Sequence, residues 1–239
     1  MTETYQDVEW EELVDSSEQS DLARLFEKVI FERVSFRAAE VSGQRFLSCE
    51  FLDCTFDSAK LLDCEFFRCR FFNAVTENGC SFKFSESGGT VFSHCDLSMC
   101  NFSRANLYNL AITDCQAQGA DFSDVISSRS VGSSVQLHGT RISGCNLSYA
   151  SFNGAWLKES DLARNRLVHA SFNEACLENS NLSDCELHGL EAKGLLLAGA
   201  DLRGAQLAGL DIRQLDMTGV IINDFQCATL LEAVGIIVE

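Results

Sequence analysis

Large apolar residues recur at every fifth position along most of this chain. Between Phe26 and Phe71, all ten positions spaced by five carry Phe, Leu or Val. After a break, the pattern resumes one residue out of phase at Phe82. From Phe92 to Ile222, 23 of the 27 positions in this second phase are Phe, Leu, Ile or Met. A period of five fits neither an α-helix nor a simple strand, so the chain must use another regular structure.

A small residue lies two positions before most of these large ones, and it is usually Cys or Ala. Because Cys and Ala exchange freely in this slot, we interpret the cysteines as small buried hydrophobes. A structural zinc site would instead need clustered ligands, which an even spacing of five does not supply. No metal and no cofactor are therefore predicted. The ten of the twelve cysteines that occupy the slot are Cys49, Cys54, Cys64, Cys69, Cys80, Cys95, Cys100, Cys115, Cys145 and Cys185.

A coil with four short sides satisfies a period of five. Each pentad forms one side with its large residue pointing inward, so twenty residues complete one turn, and turns stack at about 4.8 Å. The absence of proline from all 239 residues agrees with an unbroken backbone ladder. With ADL, SDL, NLS and ADF recurring along it, the chain resembles the pentapeptide-repeat family. That resemblance implies an all-β fold, a right-handed quadrilateral β-helix, which we expect to span residues 26–222.

Two interruptions predict loops that project from the β-helix, and projecting loops in repeat proteins often bind partners. The first is the segment NAVTENG at residues 73–79, where the phase slips by one residue. The second lies at about residues 130–141, in a stretch that stays in phase but has few large central residues. The alternative interpretation is that both are tolerated surface bulges.

The two ends depart from the repeat. Residues 1–25 form an acidic lead, for which a small helix and disorder both remain open. Residues 223–239 predict a short helix that begins at Asn223 or Asp224, ends at Gly235 and covers the open end of the coil. Its surplus of apolar residues predicts a two-fold dimer. The predicted dimer interface consists of Phe225, Leu230, Leu231, Val234, Ile236 and Ile237.

Charge narrows the possible partners. The chain has 18 Lys and Arg against 35 Asp and Glu, a net charge of −17, which disfavours direct binding to nucleic acid or to an anionic membrane. No apolar stretch approaches a membrane span and the N-terminus is acidic, so we expect a cytoplasmic protein with reduced thiols. The four histidines are scattered, and no glycine-rich phosphate loop is present. A β-helix polysaccharide enzyme would need clustered carboxylates in an aromatic-lined groove, but the chain has only two Trp, one of them outside the repeat. The sequence therefore predicts no enzyme.

Residues twenty apart should stack on one face of a coil of this kind. Asp161, Asn181 and Asp201 then form one ladder, and Glu191 and Asp211 form another. Spread over an end-to-end dimer of about 90 Å, the net charge comes to about one negative charge per 2.6 Å, against about one per 1.7 Å in duplex DNA. An acidic rod with this charge per unit length fits a basic groove that normally holds DNA. The alternative is that the excess of Asp and Glu serves only to keep a β-rich rod soluble.

Several segments resemble the Qnr-type quinolone-resistance proteins, namely HCDLSM, CQAQGADF, NLSYASF, GLDIRQLDMTGV and LLEAVGIIV. The resemblance implies a homodimer that binds DNA gyrase and topoisomerase IV and protects them from fluoroquinolones, with both loops taking part. The matching loop residues are Asn73, Val75, Thr76, Glu77, Asn78, Ser130, Val131, Gly132, Ser133, Ser134, Val135 and Gln136. The alternative function is an interaction scaffold, or an immunity protein, for an unrelated partner or toxin.

Overall fold

A stack of square coils forms most of the molecule in a computed structural model of the chain. The structure describes residues 3–13, 24–131, 135–208 and 210–237. Each side of a coil contributes a short strand or a single bridging residue to a parallel ladder, and the equivalent residue of the next coil usually lies twenty positions later. The all-β, right-handed quadrilateral β-helix expected from the period of five is thus confirmed.

The regular elements are short because a corner follows every five residues. Two short α-helices lie near the two ends, and two 3-10 helices span Ile212–Gln214 and Asp224–Gln226. The strands are β1 Thr4–Gln6, β2 Leu25–Glu27, β3 Ile30–Glu32, β4 Arg45–Leu47, β5 Glu50–Leu52, β6 Glu65–Phe67, β7 Phe72–Asn73, β8 Asn78–Gly79, β9 Val91–Ser93, β10 Ala111–Thr113, β11 Ser128–Val131, β12 Val135–His138 and β13 Arg141–Ser143, and the helices are α1 Trp10–Leu13 and α2 Cys227–Ala233.

The four faces of the rod are four parallel ladders. The first face is the six-stranded sheet β2-β4-β6-β9-β10-β13, which continues through single bridges from Asp161 to Ile221. The second face is β1-β3-β5, continued to Gln206. The third face consists of single bridges from Glu9 to Glu191, and the fourth of single bridges from Glu40 to Asp216.

The large residue of each pentad points into the core and stacks on its equivalent in the next coil. Along the third face, Phe rings stack nearly parallel with centroid separations of 4.3–5.0 Å. Such contacts add to the hydrophobic stabilisation that burial of these rings supplies. This column consists of Phe36, Phe56, Phe82, Phe102, Phe122, Phe152 and Phe172.

The cysteines of the small slot are buried, and their thiols also donate hydrogen bonds. Cys64 Sγ donates to the Val41 carbonyl at 3.1 Å, and Cys185 Sγ donates to the Leu162 carbonyl at 3.0 Å, so each links one coil to the central residue of the coil below. Ser180 makes the same link at 2.7 Å. Burial raises the pKa of the Cys64 and Cys185 thiols to about 12, which keeps them protonated at neutral pH.

Two residues after most central positions, the backbone turns the corner with a positive φ. Asp63 and Asp184 adopt φ of 56° and 58° there, and Gly204 adopts 73°. Asp, Asn and Gly tolerate this left-handed conformation best, which explains why they recur in this slot. This corner signal is visible in the sequence, but it lies outside the pattern of large apolar residues.

Downstream of Phe26, two insertions interrupt the twenty-residue turn. Thr55 bridges Ser81, twenty-six positions later, so hairpin A (residues 72–79, strands β7 and β8) adds six residues. Ile126 bridges Trp156, thirty positions later, so hairpin B (residues 128–138, strands β11 and β12) adds ten. An insertion of ten residues equals two whole pentads, so the five-residue phase is the same before and after hairpin B. Leu137 matches this phase, but it lies exposed in the hairpin.

The second loop was predicted at about residues 130–141, and this range needs correction. Hairpin B begins at Ser128 and ends at His138. Thr140 is buried, and Arg141 already belongs to β13, where it pairs with Ala111.

The ladder also extends upstream of the boundary predicted at residue 26. Strand β1 pairs with β3 in register Thr4–Ile30, and the short helix α1 follows. Trp10 is 3% exposed, its ring centroid lies 5.1 Å from that of Phe36, and its indole nitrogen donates to the Glu40 carbonyl at 3.3 Å. The acidic lead thus supplies the lid of the N-terminal end of the core, whereas residues 14–23 lie outside the described residues.

At the other end, Gln226 closes the last coil. It is buried, and its side-chain amide donates to the carbonyls of Leu202 and Ala205 at 2.8 Å each. Helix α2 follows and ends at Ala233, two residues before the predicted Gly235, which turns the chain after the C-cap Val234 with a φ of +86°. Within the described ranges, no helix is long and apolar enough to cross a membrane.

Candidate protein-interaction site

Hairpin A projects from the rod on an anchored base. Asp53, in the coil below, accepts hydrogen bonds from the Asn73 amide at 2.6 Å and from the Thr76 hydroxyl at 2.7 Å. The Asn73 side chain also accepts from the Val75 backbone N–H at 2.9 Å. At the tip, Val75 is 91% exposed, and Glu77 turns the chain with a φ of 57°.

Gly79 ends hairpin A in direct contact with the next coil. A Cβ at this position would lie 2.4 Å from the Cys100 nitrogen and 2.5 Å from the Ser98 carbonyl oxygen. These are backbone atoms of the ladder, so they cannot move aside as a flexible side chain would. Only glycine therefore lets the hairpin return to the rod at this point.

Hairpin B is an antiparallel pair in which Arg129 faces Leu137 and Ser130 faces Gln136. The predicted tip residues Gly132, Ser133 and Ser134 lie outside the described residues. Val131 and Val135 pair directly next to that tip. A groove of about 460 Å³ separates the hairpin from the fourth face, lined by Leu62, Asp63, Glu86, Gly88, Gly89, Asn106, Tyr108, Asn109 and Arg129.

The predicted ladder of Asp161, Asn181 and Asp201 lies in consecutive coils of the first face. The Asn181 amide donates to Asp161 at 3.0 Å. Arginines neutralise both carboxylates locally, because Arg141 Nε lies 3.1 Å from Asp161 and an Arg203 amino nitrogen lies 2.5 Å from Asp201. The net negative charge at this ladder is therefore smaller than its sequence indicates.

The predicted pairing of Glu191 with Asp211 needs correction. Glu191 bridges Ser171 on the third face, but Asp211 leaves the ladder and caps the 3-10 helix Ile212–Gln214. Its carboxylate accepts from the Arg213 backbone N–H at 3.2 Å and from Arg213 Nε at 2.7 Å. The third face thus ends one coil earlier than a strict twenty-residue repeat requires.

Arginine hydrogen bonds lower the pKa of two of these carboxyls. Arg203 holds the pKa of Asp201 below its ordinary value, and Arg213 does the same for Asp211. Both groups are therefore ionised and paired at neutral pH. Among the described parts of the chain, no three His, Cys, Asp or Glu side chains come together as a metal site would require.

Apolar side chains remain exposed at the C-terminal end. Of the predicted dimer residues, Leu230 packs partly buried against the core and helps to close it. The other five face outward, with Ile237 at 85% and Phe225 at 73% exposure. The exposed set is Phe225, Leu231, Val234, Ile236 and Ile237.

The sequence is similar to that of Qnr proteins. It is 30% identical over 145 residues to the quinolone resistance pentapeptide repeat protein QnrB96 of Scandinavium goeteborgense, and 31% identical over 145 residues to the pentapeptide repeat protein QnrB4 of Escherichia coli. Each match covers 61% of this chain and 64% of the relative, so it spans slightly less than two thirds of these curated relatives.

The structure is similar to solved structures of QnrB1, a plasmid-mediated fluoroquinolone resistance protein. Full-length QnrB1 superimposes with a TM-score of 0.78 at 27% identity, covering 98% of this chain and 100% of QnrB1. A trypsin-treated variant of QnrB1 gives 0.77 at 26% identity and covers both chains completely.

A family model for pentapeptide repeats matches residues 88–124, 112–148, 145–184 and 185–224, which together make up more than half of the chain. Where the structure describes the matched residues, most of them outside hairpin B form the four-sided coils described above, with the large central residues inside. The chain therefore belongs to the pentapeptide-repeat family.

Proposed function

We propose that this protein protects the type II topoisomerases DNA gyrase and topoisomerase IV from fluoroquinolones, by binding them as a homodimer through hairpins A and B and the acidic faces of the rod. The observation that carries the proposal is the similarity to QnrB1, itself a fluoroquinolone resistance protein, over 98% of this chain. The relatives QnrB96 and QnrB4, at 30% and 31% identity, support it as well.

The structure of hairpin A, an ordered base with an exposed tip, favours a role in binding a partner. Its base is held by Asp53, whereas Val75 at its tip is 91% exposed and has no part in the core. An exposed tip on an ordered base loses little conformational freedom when it meets a partner, which favours affinity. Nothing in the packing of the rod requires this insertion, so function is its simplest explanation.

The acidic faces act mainly on the rate of association. Asp161 and Asp201 already pair with arginines, so a partner gains little from contacting them directly. The net charge of −17 nevertheless remains, and it attracts a basic groove at long range. Neutralising Asp161 and Asp201 should therefore slow association and flatten its salt dependence while leaving dissociation almost unchanged.

A supercoiling assay with purified DNA gyrase tests the proposal directly. The intact protein should restore supercoiling in the presence of a fluoroquinolone at near-stoichiometric ratios. Replacing Val131–Gln136 by a two-residue turn should abolish this rescue and leave the melting temperature nearly unchanged, because a projecting hairpin contributes little to the core.

Two outcomes would contradict the proposal. If the intact protein gives no rescue short of gross excess, protection is refuted. If it also fails to bind gyrase in a pull-down, the alternative of a scaffold or immunity protein for an unrelated partner takes its place.

A further inference from the structure

Hairpin A is too short to keep its shape through its own strand pairing. Strands β7 and β8 share only two residue pairs, Phe72 with Gly79 and Asn73 with Asn78. Hairpin B, by contrast, has four pairs. Even a longer isolated two-stranded hairpin is only marginally stable in water, so a hairpin of two pairs needs support from outside. The rod therefore has to supply the order that hairpin A lacks.

Asp53 supplies this support from a corner of the coil below. Its Oδ2 accepts a hydrogen bond from the Asn73 amide at 2.6 Å, and its Oδ1 accepts one from the Thr76 hydroxyl at 2.7 Å. Hydrogen bonds to a carboxylate are stronger than those between neutral groups. A single side chain thus ties hairpin A to the rod at two positions that lie three residues apart.

The Asn73 side chain transmits this anchor to the tip. Its amide nitrogen donates to Asp53, while its oxygen accepts from the Val75 backbone N–H at 2.9 Å. The carboxylate therefore orients the Asn73 amide, and the amide in turn holds the backbone at Val75 in a turn. Asp53 itself is half-buried at the corner and is not part of the tip, where Val75 is 91% exposed.

The position of Asp53 is fixed by the rod. It turns the corner with a φ of 54° directly after strand β5, which pairs with β3. Arg33 occupies the equivalent corner one coil earlier, and its guanidinium is already bound to Asp7 at 2.6 and 2.8 Å. The Asp53 carboxylate is therefore held in place on a rigid element and is directed to hairpin A.

We propose that Asp53 is the positioning residue of hairpin A and sets its tip in the conformation that the topoisomerase partner binds; this rests on the proposed function. Without Asp53, the tip would have to be ordered at the moment of binding. Fixing the backbone of one residue corresponds to a loss of about tenfold in affinity. Asp53 has this effect without touching the partner, because it removes an entropic cost rather than adding a contact.

Backbone order parameters of the free protein, measured by NMR relaxation, test the positioning step. In the intact protein, the order parameter of the Val75 N–H should be close to 0.85, the value of about rigid backbone, and in Asp53→Ala it should fall below about 0.6. The matched control is Asp184→Ala, because Asp184 also turns a corner, with a φ of 58°, and lies away from hairpin A. Both variants lose one negative charge and place Ala at a positive φ, so their melting temperatures should be similar.

Binding measurements with the DNA gyrase holoenzyme test the consequence. Asp53→Ala should weaken the Kd about tenfold relative to Asp184→Ala. Asp53→Asn keeps an acceptor for the Asn73 amide and offers a donor to the Thr76 hydroxyl, so it should bind within about threefold of the intact protein. This conservative variant also guards against a loss of binding that comes only from misfolding.

Three results would refute the positioning role while the proposed function stands. They are a Val75 order parameter that is unchanged in Asp53→Ala, a Kd for Asp53→Ala equal to that of Asp184→Ala, and a Kd for Asp53→Asn as weak as that of Asp53→Ala. If the intact protein does not bind gyrase, the proposed function and this inference fail together.

Discussion

Replacing Gly79 by Ala should destabilise the protein far more than an ordinary Gly to Ala change. The added Cβ would lie 2.4 Å from the Cys100 nitrogen and 2.5 Å from the Ser98 carbonyl oxygen, well inside van der Waals contact. The neighbouring Cys80 holds this segment in place, since its N–H donates to Phe71 at 2.9 Å and its carbonyl accepts from Asn101 at 3.0 Å. The clash therefore cannot be relieved without breaking bonds of the ladder.

Overpacking of this severity costs about 3 kcal/mol. For a chain of this size, that corresponds to a fall in melting temperature of about 6–12 °C. Gly43→Ala is the matched control: Gly43 has a φ of +75° and no atom lies within 4 Å of the place its Cβ would take, so only the left-handed backbone opposes the change, at about 1 kcal/mol. Scanning calorimetry of the two variants gives the comparison. Equal melting temperatures would refute the close approach of hairpin A to the next coil.

Three further predictions concern the core, the acid range and the assembly. Phe56→Ala should lower the free energy of unfolding in urea by about 4 kcal/mol, because the Phe56 ring is stacked between two others at centroid separations of 4.3 and 4.6 Å. Asp201→Ala should lower it by less than about 1 kcal/mol. Equal losses for the two variants would contradict the five-residue register. Arg203 lowers the pKa of Asp201 in the folded state. The ionised Asp201 carboxylate therefore stabilises the fold above its unfolded pKa of about 4, and this stabilisation is lost as the pH falls through the folded pKa. Asp201→Asn removes this pH-dependent contribution, so the melting temperature of the variant should fall less on acidification than that of the intact protein. Deleting residues 225–239 should give monomer or aggregate by light scattering, and a well-behaved dimer would place the interface elsewhere.

The period of five was sufficient to predict the core. It identified the central residues, the buried cysteine slot and the stacking of Asp161, Asn181 and Asp201, because an uninterrupted repeat converts distance along the chain directly into neighbours in space. Each pentad determines locally which side chain points inward. The fold class therefore followed from the sequence without any long-range information.

Contacts across an insertion were decided only by the tertiary structure. Trp10 was missed as the lid of the core because Glu9 bridges Ser35 across twenty-six residues, which shifts the phase. Leu137 matched the phase but lies in hairpin B, because an insertion of ten residues leaves the phase intact. Local periodicity determines whether a side chain points inward or outward. Which residue it stacks on in the next coil depends on the length of any insertion between the two coils, and that length is evident only from the folded structure.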